Sequence, residues 1–159
     1  MIETQSKGYR KYQIDINDYK ILHQINSGGF GLVYCVQNKK TKNNYAAKVL
    51  NTHNEESQYK KMINREIGIM IRCQHPTIIK FIGYSLVDFN DQKNITIFMD
   101  LAQKGSLAEY LEKSQNGLLD EFIDNTTKQI ILVGIARGMM ILHQHHVIHR
   151  DLKPGNILL

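Results

Sequence analysis

Within eight residues, His149, Arg150, Asp151, Lys153 and Asn156 stand between apolar flanks in the stretch VIHRDLKPGNILL, Val147–Leu159. Pro154 and Gly155 force a turn between Asp151 and Asn156. A loop of this kind can aim a carboxylate, an ammonium and an amide oxygen into one space. The carboxylate can orient a hydroxyl nucleophile and accept its proton. The lysine can neutralise a phosphoryl group in transfer, and the asparagine oxygen can hold a magnesium ion. The plainer alternative is a charged surface loop after a helix, and the density of chemically apt residues argues against it.

Three further features point to phosphate chemistry. In INSGGFGLVY, Ile25–Tyr34, glycines let the backbone take positive φ and approach a ligand closely, and the exposed N–H groups of such a turn can cradle phosphate oxygens. A glycine-rich hairpin without a ligand is the alternative. Lys48 lies inside the otherwise apolar run YAAKVL, and Glu66 shares the apolar stripe of a helical stretch with Met62, Ile63 and Met70. A lone charge on a core face is costly unless paired, so the two are expected to meet. A structural ion pair or a lysine that snorkels to water reads the same residues without function. A fourth group, His143, His145, His146 and His149, suggests zinc. It lacks a cysteine or other nearby ligand and overlaps the loop above.

The elements that must position these residues follow from periodicity. Tyr19–Ile25, Leu32–Asn38 and Tyr45–Leu50 read as strands, with the glycine cluster and the polar turn KKTKNN between them. From Glu56 to Cys73 apolar residues recur every three or four positions, which predicts a helix broken at His75–Pro76. Two more strands are expected in IIKFIGYSLVD and NITIFMD. SLAEYLEK reads as a helix capped by Ser106 with Glu109 three residues on, and a long helix is predicted from Asp124 to Gln144. Its apolar residues occupy several faces, so it is built for burial nearly all round. Strands first and helices after give an α+β layout.

Composition sets the frame. Hydrophobic residues make up 42% and charged residues 22% of 159, which fits a globular chain of one ordinary domain. Net charge is +5, with 13 Lys/Arg against 6 Asp/Glu in residues 1–80 and 7 against 9 in residues 81–159. No basic run with interleaved aromatics occurs, so nucleic acid is not expected as a partner. Cys35 and Cys73 sit in no CxxC pair and read as reduced thiols. The first residues carry no apolar leader, and the run IILVGIA is too short to span a bilayer. A cytoplasmic protein that uses no membrane is therefore expected.

NSGGFGLV, YAAK, NREI and HRDLKPGN, in that order and with Glu66 eighteen residues after Lys48, resemble the eukaryotic protein kinase family. The resemblance runs from Tyr19 to the last residue. It implies a lead-in over 1–18 and part of a kinase domain over 19–159. That part comprises a five-stranded first lobe with one main helix (19–99), a hinge (100–105), and the first helices of an incomplete helical second lobe (106–159). It implies that Gly28, Gly29 and Gly31 cover the ATP phosphates. Ile25, Val33 and Ala46 would lie above the adenine and Leu158 below it. Lys48 would contact the α- and β-phosphates and be held by Glu66. Met99 takes the gatekeeper position, with Asp100 and Ala102 offering backbone groups to adenine. Asp151 is the implied base, Lys153 the γ-phosphate contact and Asn156 a magnesium ligand. Met70, Phe81 and His149 would be three of four stacked positions that align the lobes.

Lys153, two residues after Asp151, is similar to serine/threonine kinases, and GIARGMMILH and IIKFIGYS resemble the tyrosine-kinase-like group. The implied partner is a protein with a Ser/Thr acceptor; the cofactors are ATP and Mg2+. Two departures stand out. Asn26 replaces the first loop glycine, and no D-F-G or A-P-E follows. These imply an inactive fragment, and they support the alternative of a non-catalytic nucleotide-binding scaffold.

Overall fold

The computed structural model describes residues 8–28, 31–50, 63–116 and 124–159. They fall into two compact units. One comprises Met1–Arg72 with Lys80–Leu101, and the other Cys73–Ile79 with Ala102–Leu159. The break therefore follows Leu101, and the segment after the first helix, Cys73–Ile79, groups with the second unit.

In the first unit five antiparallel strands form one sheet in the order β1-β2-β3-β5-β4: β1 Tyr19–Gly28, β2 Gly31–Asn38, β3 Asn44–Val49, β4 Phe81–Ser85 and β5 Thr96–Asp100. The β2–β3 turn is set by side-chain chemistry. Asn38 Oδ1 accepts from the N–H groups of Lys40 and Thr41, each at 2.9 Å, and Lys42 adopts a positive φ of 64°. Such short polar side chains offer the backbone a turn in place of a ladder.

Strand period two gives the sheet two faces. On one face Val36, Ala47 and Phe98 are buried with Ile16, and Tyr19, Tyr34, Tyr45 and Phe89 pack around them. Tyr19 and Phe98 ring centroids lie 4.6 Å apart. On the other, Leu50, Ile67, Phe81, Tyr84, Ile95 and Ile97 form a second cluster joined by Met70, Ile71 and Met99.

The helix on that second face departs from expectation. The predicted helix over 56–73 is described only from residue 63, where it runs as a π-helical turn, Ile63–Ile67, and then as α1, Gly68–Arg72. A π turn closes i to i+5 bonds and shifts the phase of its side chains. Ile67 is fully buried while its neighbour Glu66 is exposed.

The second unit holds α2, Leu107–Gln115, and α3, Asn125–Gln144. The capping box is complete: Glu109 N–H donates to Ser106 Oγ at 3.2 Å and Ser106 N–H donates to Glu109 Oε2 at 3.3 Å. Asp124 caps α3 by accepting from the Thr127 N–H at 2.6 Å, and the Thr127 side chain first, then this backbone bond, lower the Asp124 pKa. Although built for burial, α3 keeps much of its apolar surface exposed among the described residues. Gly138 alone of its residues is buried, against Thr77, while Ile130 and Leu132 are 65% and 64% exposed. No helix among the described residues is long and apolar enough to cross a membrane.

Phe98, on β5 between β3 and β4, is fully buried. Phe98→Ala is expected to cost about 3–5 kcal/mol, a large share of the roughly 5–15 kcal/mol of an ordinary domain. Urea unfolding followed by circular dichroism should show a midpoint shifted well below that of the parent chain.

Candidate active site

Four of the residues singled out in the first unit share one face of the sheet. Opposed residues of an antiparallel pair point the same way, and so do residues two apart. Val33 pairs with Lys48, Lys48 with Ile97, Ala46 with Met99, and Met99 with Phe81. Val33, Ala46, Lys48 and Met99 therefore stand together on the face that carries the π turn and α1. Lys48 is half-buried between buried Ala47 and Val49.

The β1–β2 connection is tight. Gly28 pairs with Gly31, so two residues join the strands. Gly31 has φ of +119°, and a Cβ there would collide with the carbonyl oxygen of Val49. Glycine is required both by the conformation and by the approach of β3. Gly29 lies outside the described residues. Asn26 pairs with Val33 within β1, after a register shift between Gln24 and Asn26, so asparagine is accommodated in extended backbone. Ile25 is exposed, at 45%.

Among the described residues no Lys48–Glu66 ion pair is formed. Glu66, within the π turn, is exposed beside buried Ile67. At the end of β5, Asp100 is exposed and its N–H donates to the Lys80 carbonyl at 3.0 Å. That donor is thereby committed.

In the second unit Ala102 is half-buried, and Leu158 forms an antiparallel bridge with Ser106. The Leu107 N–H donates to Ile157 O at 2.8 Å, and the Leu159 N–H donates to Gly105 O at 2.9 Å. This short ladder anchors the loop that precedes it. His146 and Arg150 take positive φ, 57° and 63°, which fold the chain sharply before Asp151. A 3₁₀ turn, Pro154–Asn156, follows, with proline at a position where its missing N–H costs nothing.

The loop closes on the Asp151 carboxylate. Lys153 Nζ lies 3.0 Å from Asp151 Oδ2. Asn156 Nδ2 donates to the same oxygen at 2.9 Å and to Asp151 O at 2.7 Å. The Asp151 N–H donates to His149 Nδ1 at 3.3 Å. The Lys153 contact first, and then the Asn156 bond, hold the Asp151 pKa below its ordinary value. Asp151 is thus a carboxylate at neutral pH. Because both donors of the Asn156 amide are committed, its Oδ1 is left as an acceptor. Magnesium takes few protein oxygens and keeps waters, so an amide oxygen beside a carboxylate fits it. Among the described residues no group of three or more His, Cys, Asp or Glu could hold a metal ion, and the four histidines make no such group. Of the expected site residues, the structure thus brings Asp151, Lys153 and Asn156 together in one unit and Val33, Ala46, Lys48 and Met99 in the other.

The known proteins to which this chain is similar are protein kinases. A family model for the protein kinase domain matches residues 19–159. Serine/threonine-protein kinase Aurora-1 of Arabidopsis thaliana is 30% identical over 145 residues, which cover 91% of this chain and 46% of that protein. Aurora kinase B of Xenopus tropicalis is 33% identical over 151 residues, 94% of this chain and 39% of its own length. Serine/threonine-protein kinase 10 of Danio rerio is 32% identical over 161 residues, 99% and 15%. The chain spans less than half the length of each.

The sign of the Asp151 shift can be tested. A lowered folded pKa favours the closed loop above the ordinary Asp value of 3.8, and that contribution is lost as pH falls through the lowered value. In an NMR titration Asp151 should have its midpoint below 3.8, and Lys153→Met should move it upward. An unchanged midpoint in that variant would remove Lys153 as the main cause.

Proposed function

The chain belongs to the protein kinase family, and from that premise we propose that it serves ATP-dependent phosphorylation of serine or threonine hydroxyls on a protein substrate. The observation that carries this reading is the closed loop, in which a charged carboxylate, an ammonium and an amide are held together. Asp151 orients the acceptor hydroxyl and takes its proton at the carboxylate. Lys153 lies against the γ-phosphate. Asn156 Oδ1 would hold magnesium, which when bound supplies positive charge against the phosphate oxygens.

The first unit supplies nucleotide contacts on this reading. Backbone N–H groups at Gly28, Gly29 and Gly31 cover the phosphates, and Lys48 contacts the α- and β-oxygens. Ile25, Val33 and Ala46 give adenine an apolar roof, with Leu158 as the apolar residue of the other unit. Met99 limits depth, while Asp100 through its carbonyl and Ala102 through its N–H read the adenine edge. Glu66 is the helix carboxylate that would meet Lys48 once its turn re-phases. The similarity to kinases named for serine and threonine supports the acceptor class, whereas the tyrosine-kinase-like likeness rests on GIARGMMILH and IIKFIGYS alone. One departure, Asn26 in the glycine-rich loop, favours a second reading, a nucleotide-binding scaffold without transfer.

Two measurements separate the readings. Mg·ATP titration should show binding that Lys48→Met weakens by about tenfold or more, as expected for loss of a charge-assisted contact. In the native protein, phosphate transfer to a serine-containing substrate should fall about 10²-fold or further in Asp151→Asn, the range of a general base. Binding without any transfer would favour the scaffold, and no binding would sink both.

A further inference from the structure

Residues 8–18 precede the region matched by the family model, yet they are folded onto the first unit. Tyr9 and Tyr12 pack against the cluster of Leu50, Ile67, Phe81, Tyr84, Ile95 and Ile97. The Tyr12 ring meets Phe81 edge-on with centroids 5.6 Å apart. Gln13 forms a parallel bridge with Tyr84, and the Ile14 N–H donates to Tyr84 O at 2.8 Å. The segment thus lies along the edge strand β4 and covers part of its unpaired backbone.

Two glycines mark where it lies. A Cβ on Gly83 would come within 2.5 Å of Ile14 Cδ1 and of the Tyr12 carbonyl oxygen. A Cβ on Gly68 would stand 3.0 Å from the Tyr9 hydroxyl and 3.7 Å from its ring Cζ. Gly68 opens α1, where glycine is a weaker helix former than alanine. The helical backbone there does not demand glycine; what a larger residue would crowd is the Tyr9 hydroxyl. Gly68 is two residues from Glu66 and next to buried Ile67.

We propose that residues 9–14 form a strap that sets the position of the helix carrying Glu66, with Tyr9 on Gly68 as the positioning contact. The strap meets the helix at Gly68 and the sheet at Phe81 and Tyr84. Phe81 is the register partner of Met99, so the strap, the helix and the residue at the adenine end of β5 share one apolar cluster. Movement of the strap therefore reaches the nucleotide side through packed side chains. Its consequence for nucleotide affinity rests on the kinase reading; its hold on the helix does not.

The test combines amide hydrogen exchange and Mg·ATP titration on the 159-residue chain. Tyr9→Ala should speed exchange in Gly68–Arg72 and leave β3 and β5 unchanged, and it should weaken Mg·ATP binding about threefold or more. Tyr9→Phe should stay near the parent in both. Should Tyr9→Ala loosen the whole unit, Gly68→Ala decides. Alanine favours a helix, yet its methyl crowds the Tyr9 hydroxyl, so the strap predicts faster exchange and weaker binding. Adding Tyr9→Phe should reverse both, because the methyl then faces a ring carbon at an ordinary contact distance. Parent-like exchange in Tyr9→Ala, or failure of Tyr9→Phe to rescue Gly68→Ala, would overturn the strap. A parent chain that binds no Mg·ATP would count against the kinase reading, while the exchange data would still judge the strap.

Discussion

Everything in the first unit depends on the register of β3 against its two neighbours. Ala46 and Lys48 are two residues apart, so they share a face, and pairing with β2 and β5 brings Val33 and Met99 onto it. A slip of one residue would turn Lys48 into the aromatic cluster and Ala47 outward. That slip is opposed from the other face, where Val36, Ala47 and Phe98 are fully buried. The core that carries no chemistry is thus what aims the residues that do. Gly31 adds a second lock, since the closeness of Val49 to its backbone leaves no room for a side chain.

The second unit solves a different problem. A loop bearing five polar or charged side chains has no apolar core of its own; Lys153 is exposed and Asp151 half-buried. It is held by its own hydrogen bonds and by the ladder at Gly105, Leu107, Ile157 and Leu159. Exposed ion pairs contribute little to stability, so the Asp151–Lys153 contact is better understood as orientation and charge control than as a source of folding energy.

Much of this was legible in the sequence because it is periodic or local. Strand alternation located the sheet, Ser106 and Glu109 announced the capping box, and Pro154–Gly155 announced the turn. What escaped depends on long-range contacts. The π turn cannot be read from the spacing of Ile63, Ile67 and Met70, which an α-helix would satisfy equally. Tyr9 and Tyr12 looked like part of a polar lead-in. The usable signal was Gly68, a glycine inside a helical pattern with no turn to explain it.

The donors and acceptors left over after folding are the final step. An ammonium has three donors, and Lys153 places one of them on Asp151, so phosphate oxygens can be met without breaking that contact. Asn156 has spent both donors and keeps its oxygen. Asp151 accepts two of its bonds through a single carboxylate oxygen, Oδ2, which leaves Oδ1 for a hydroxyl proton. Each group's remaining capacity is of the kind proton and phosphoryl transfer require: donors toward the anion, one oxygen toward a cation, one oxygen toward a proton. A loop folded for stability alone would have no reason to keep its unspent valences so divided, and on physical grounds this division is the strongest support for the catalytic reading over the scaffold.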